Sequence, residues 1–105
     1  MRSIENYAFY GCSNLASVAF GKNVDLVGGS AFRLCTKLAT VTLPTSLDKL
    51  GGSCFYGCKR LSSIVINANG VIDIDANAIT GISTKAVIKV PAKFLNRYMR
   101  KRIVF

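Results

Sequence analysis

The sequence predicts a β-rich α/β solenoid, a stack of similar coils wound around one apolar core. Two observations carry that prediction: a 23-residue period through most of the chain, and apolar–polar alternation at one phase of every period. Displacing the sequence by 23 superposes Phe9, Phe32 and Phe55, then Cys12, Cys35 and Cys58, then Leu15, Leu38 and Leu61. The register continues through Val18, Val41 and Ile64, through Phe20, Leu43 and Ile66, and places Val27 on Leu50. A fixed period of this size marks repeats that bury their apolar face only against their neighbours.

Composition sets the outer bounds. At 105 residues the chain allows one domain, 1–105, and with 50% apolar and 18% charged residues it demands a packed core. Polar residues interrupt every apolar stretch well short of the roughly 18 residues of a membrane span. Histidine is absent, which removes the commonest general base, metal ligand and activator of a Ser or Cys nucleophile. Fourteen Lys and Arg against five acids give +9, so long-range attraction is toward anionic partners.

The coils read as 4–26, 27–49 and 50–73, with a degenerate fourth over 74–91 and a basic cap over 92–105. In each, Leu15 to Phe20, Leu38 to Leu43 and Leu61 to Ile66 alternate apolar and polar residues, which predicts a short strand buried on one face. Identical strands recurring in one sense stack as a parallel sheet. Gly28-Gly29 and Gly51-Gly52 suggest tight bends, and Ser30 and Ser53 stand where an N-cap would open a single helical turn. Each coil is thus a strand, a turn, an extended segment and a helical turn. In the fourth, Ala78-Ile79 replace Ala31-Phe32, and Ile82 and Lys85 break the Cys and Leu columns. Beyond Pro91, Phe94, Leu95, Tyr98 and Met99 share one face of a predicted helix that caps the stack.

The cysteine column has three readings: disulfide, metal site or core. Neighbouring coils lie about 4.7–4.9 Å apart, beyond the roughly 3.5–4.5 Å that disulfide Cβ atoms want, so a bridge along the ladder is strained. A straight column without histidine converges poorly on a zinc ion. The expectation is therefore a column of buried thiols, with Cys54 filling the small slot held by Ala8 and Ala31. Phe9, Phe32 and Phe55 are expected to stack inside as a spine. No catalytic residue, cofactor or metal ligand is expected.

Three surfaces are candidates for binding. The outward strand face carries Ser17, Thr40, Thr42 and Ser63. An edge column of Tyr10, Arg33 and Tyr56, expected to be exposed, offers cation–π contacts to both sides of Arg33 and the residue types that interfaces favour. The C-terminal segment carries Lys93, Arg97, Arg100, Lys101 and Arg102 with no acid, a candidate site for an anionic polymer such as a glycan, nucleic acid or lipid headgroups. Nucleic acid is the less expected of these, because no aromatic series is interleaved with the cations. At the other end Met1-Arg2-Ser3 lead straight into the first coil, so its apolar face calls for upstream coils of a longer chain or for self-association with a second copy. No signal-peptide pattern opens the chain.

The pattern Ile/Val/Leu-Gly-x-x-Ala-Phe-x-x-Cys-x-x-Leu-x-x-Val-x-Leu-Pro resembles the BspA-like leucine-rich repeats of bacterial and protist surface proteins, from Ile4 to about Phe105. Val90-Pro91-Ala92-Lys93-Phe94-Leu95-Asn96-Arg97-Tyr98 also resembles the segment with which such arrays end. The resemblance implies a right-handed leucine-rich-repeat superhelix. It further implies a non-catalytic recognition or adhesion module that binds a protein or surface glycan, on a cell surface or secreted, within a longer chain. The alternative function is an anionic-polymer binder working through the basic cap.

Overall fold

The computed structural model describes residues 2–68, 72–75 and 77–92. Among these residues eight short strands alternate between two parallel sheets over about four turns. One sheet is β1 (Ser3–Ile4), β3 (Leu26–Val27), β5 (Lys49–Leu50) and β7 (Asp73–Ile74). The other is β2 (Ser17–Ala19), β4 (Thr40–Leu43), β6 (Ser63–Ile66) and β8 (Val87–Lys89). The second is the sheet the alternation predicts: Val18, Val41, Ile64 and Ile88 pair in register and face inward. The first corresponds to the segment expected to be merely extended. Its two-residue strands are too short to show a period, and Ile4, Val27, Leu50 and Ile74 are its only inward column.

Between the sheets runs an arc that corrects the expected helical turn. No α-helix occurs among the described residues, and Ser30 and Ser53 are not N-caps. They hold φ of 55° and 57°, as Tyr7 and Asn77 hold 61°, all in the left-handed region. Four residues on, Gly11, Leu34, Gly57 and Gly81 are left-handed again. The arc therefore splits its N–H groups between two uses. Ala31, Arg33 and Cys35 donate to the carbonyl three residues back, while Ser30, Phe32 and Leu34 donate to Gly52, Cys54 and Tyr56 of the next coil at 2.8–2.9 Å. A helix would satisfy each coil by itself; this arc makes each coil depend on its neighbour.

Gly28 and Gly51 are also read differently in three dimensions. Neither is left-handed. A Cβ on Gly51 would sit 2.6 Å from the backbone N of Gly29, and one on Gly28 would sit 2.6 Å from the backbone N of Asn6. Glycine is needed there for close approach of coils, not for a bend.

One core fills the space between the sheets, built from Phe32, Cys35, Leu38, Val41 and Leu43 and their equivalents Phe55, Cys58, Leu61, Ile64 and Ile66. The phenylalanine spine forms: the Phe9 and Phe32 rings stack at 5.2 Å and 8°, and those of Phe32 and Phe55 at 5.4 Å and 10°. Burial weakens toward the first coil, where Phe9 is 40% exposed and Cys12 is exposed, against expectation. Both bear on a neighbouring coil from one side only, whereas Phe32 and Cys35 are covered from both. The predicted cap over 92–105 lies, beyond its first residue, outside those described.

Candidate functional site

Tyr10, Arg33 and Tyr56 follow the stacked phenylalanines and share their register, so the backbone ladder holds all three on one edge of the arc. The guanidinium carbon of Arg33 lies 4.6 Å from the ring centroid of Tyr56. On its other side the symmetrical contact does not form. Tyr10 turns toward Tyr7 instead, with ring centroids 5.9 Å apart and planes at 55°. Tyr7 and Tyr10 are 65% and 48% exposed, while Arg33 and Tyr56 are half-buried, so the edge is less open at its centre than expected. Arg33 Nε is buried without a hydrogen-bond partner among the described residues, and the guanidinium rests over the Tyr56 ring.

Sequence reasoning missed Tyr7 and Leu34. Tyr7 shares a column with Ser30 and Ser53, so it recurs nowhere and carries no periodic signal. Leu34 replaces the glycine of Gly11, Gly57 and Gly81 and keeps their left-handed φ, at 61°. Its side chain is 37% exposed and lies where a Cβ on Gly57 would come within 2.6 Å of its Cδ2. Tyr7, Tyr10 and Leu34 thus form an exposed apolar rim around the half-buried Arg33–Tyr56 pair.

The outward residues of the second sheet are laid out in rows. Ser17, Thr40 and Ser63 pair in one register, as do Ala19, Thr42 and Val65. Ser17, Thr40 and Thr42 are exposed, and Ser63 is half-buried. The structure keeps this face separate from the Tyr10 edge, with the turn at 13–16, 36–39 and 59–62 between them. Lys93, Arg97, Arg100, Lys101 and Arg102 lie outside the described residues.

The thiols have a structural task. Cys35 Sγ donates to the carbonyl of Phe9 at 3.2 Å, and Cys58 Sγ to that of Phe32 at 3.0 Å. Each adds a hydrogen bond between coils at the base of the spine. Burial pushes the Cys58 thiol up to about 12, and it raises Cys54 and Cys35 as well. Cys35, Cys54 and Cys58 are accordingly held as neutral thiols, with Cys35 and Cys58 serving as donors. All four cysteines are free.

Two parallel sheets, a shared spine and side chains repeated once per coil define a parallel β-solenoid scaffold, the kind of protein that displays columns of residues on a rigid stack. Residues 1–99 match the BspA type leucine-rich repeat region, in six copies. The chain belongs to that family. Among solved structures it is similar to the leucine-rich repeat protein of T. pallidum, with a TM-score of 0.67 and 22% identity over 96% of this chain. The chain spans 55% of that protein's length, and the likeness is one of fold. No curated protein matches it. Leucine-rich repeats of this type are generally non-catalytic scaffolds for protein interaction.

Proposed function

We propose that the chain is a recognition or adhesion module that takes a protein partner on the edge built from Tyr10, Arg33 and Tyr56, with Ser17, Thr40, Thr42 and Ser63 as a flanking polar face. Membership of a family whose members are generally surface-borne or secreted supports display outside the cell. The observation that carries the reading is the rim of Tyr7, Tyr10 and Leu34 around a cation held on an aromatic ring. It joins Tyr and Arg, residue types that interfaces favour, to a backbone tied from coil to coil by hydrogen bonds. Rigid display limits the entropy lost on binding, so weak contacts repeated from coil to coil add.

The test is the double variant Tyr10→Ser/Tyr56→Ser against wild type, on a panel of immobilised cell-surface and matrix proteins. Loss of about thirtyfold in affinity is expected for any protein bound, from two anchors of about 1 kcal/mol each, with the thermal midpoint kept within a few degrees. Undiminished binding by the folded double variant would sink the proposal.

A further inference from the structure

The chain's charges are sorted between its two sides. All five acids lie at the first sheet: Glu5 follows β1, Asp25 and Asp48 precede β3 and β5, Asp73 is in β7 and Asp75 follows it. There they meet cations, Arg2 at 3.3 Å from Asp25 and Lys49 at 3.9 Å from Asp75. A polar cleft of about 390 Å³ between Arg2, Asn23, Asp25, Ser46 and Asp48 belongs to the same side. The turn that leads into the second sheet is the opposite case. Lys37 in the second coil, Lys59 and Arg60 in the third and Lys85 in the fourth are all exposed there, and no acid of the chain is within that turn or on the strands it enters.

Lys37 and Arg60 are equivalent residues of adjacent coils, since the strands they precede pair Thr40 with Ser63. Their backbones are therefore about one strand spacing apart, roughly 4.7–4.9 Å. Like charges stacked in this way repel, and no acid among the described residues pairs with them. A ridge of unpaired cations crossing three coils fits a partner that is itself an extended run of negative charge. The chemistry around the ridge selects among such partners. The turns and β2, β4, β6 and β8 present Thr36, Thr40, Thr42, Ser62 and Thr84 outward and contain no aromatic residue, so there is no platform on which bases could stack. They also lack Tyr and Trp, and among the described residues of this face Val87 on β8 is the large apolar side chain exposed, too little to anchor a protein partner or a bilayer.

We propose that Lys37, Lys59, Arg60 and Lys85 form a docking ridge for an acidic polysaccharide, a chain bearing sulfate or carboxylate groups that lies across the coils with its hydroxyls toward the Ser and Thr face. The ridge shares no residue with the tyrosine edge or with the basic stretch of sequence at 93–102, so it can fail or stand by itself.

The experiment measures binding of a heparin fragment, the probe for sulfated polysaccharide, to the intact chain and to two variants of equal charge. Lys37→Gln/Lys59→Gln/Arg60→Gln removes three ridge cations, and Arg97→Gln/Arg100→Gln/Arg102→Gln removes three from the C-terminal segment. The ridge variant should lose about tenfold or more in affinity and show a shallower dependence on salt, and the C-terminal variant should stay within about threefold of wild type. All three ridge side chains are exposed, so an unchanged thermal midpoint should confirm that the loss is not unfolding. An equal loss in both variants, or a ridge variant that binds like wild type, overturns the proposal. So does a single-stranded oligonucleotide of matched charge that binds the wild-type chain more tightly than heparin.

Discussion

Cys12, Cys35 and Cys58 share a column but not an environment. Cys35 and Cys58 each reach a phenylalanine carbonyl of the coil before, whereas Cys12 belongs to the first coil and is exposed. A thiol reagent should therefore separate the four cysteines of the folded chain. Cys12 is expected to react at the rate of a free thiol, and Cys35, Cys54 and Cys58 only as fast as the fold opens. Mass spectrometry of the labelled chain reads this directly, and equal labelling of Cys12 and Cys58 would contradict the column as described. The same contrast holds for Phe9 and Phe32, which differ in burial though both stack on the spine.

At the scale of the element, the arc is where coil meets coil most closely. A Cβ on Gly51 would press on Gly29 N, Gly28 C and Val27 O at 2.6–2.9 Å, all backbone atoms of the second coil. No side chain can swing away to make room, so Gly51→Ala should cost about 3 kcal/mol, at the upper end of overpacking penalties. Gly57→Ala is the instructive comparison. Its nearest contact is the flexible end of Leu34, so its cost comes chiefly from the left-handed φ of 74° and should be about 1–2 kcal/mol. Denaturant titration of the two variants gives the order; a milder effect at Gly51 would mean that the coils stack less tightly than the hydrogen bonds imply. The double-glycine signal in the sequence marked the right place for the wrong reason, because a bend and a close approach both select glycine.

For the molecule as a whole, the thiols make stability depend on alkaline pH. Burial raises Cys35, Cys54 and Cys58 above their unfolded value, which is about 8.5. Their contribution is whole below that pH. Above it the unfolded chain releases protons that the folded chain keeps, and stability falls as pH rises from about 8.5 toward the folded value of about 12 for Cys58. Thermal unfolding followed from about pH 7 to about pH 10 should show the midpoint dropping. Cys54→Ala should flatten that decline, since Ala31 and Ala78 occupy the same slot in neighbouring coils. An unchanged slope in this variant would assign the alkaline loss to other groups.

The 23-residue period, read from the sequence alone, determined the scaffold. A period this regular allows Phe32 to meet Phe55 and Val41 to meet Ile64 only by stacking coils, and the alternation of Leu38 to Leu43 shows which side faces in. The same columns singled out Tyr10, Arg33 and Tyr56, because equivalent positions of a stack must share an edge. Three matters were left to the tertiary structure. The left-handed arc arises from hydrogen bonds to the next coil, a cost that no local propensity reports for Tyr7, Ser30 or Leu34. The exposure of Phe9 and Cys12 depends on which coils lie beside them, not on residue type. The sorting of charge is half-written in the period, since Asp25 and Asp48, like Lys37 and Arg60, stand 23 residues apart, but which charges find a partner is decided only when winding brings Arg2 to Asp25 and Lys49 to Asp75.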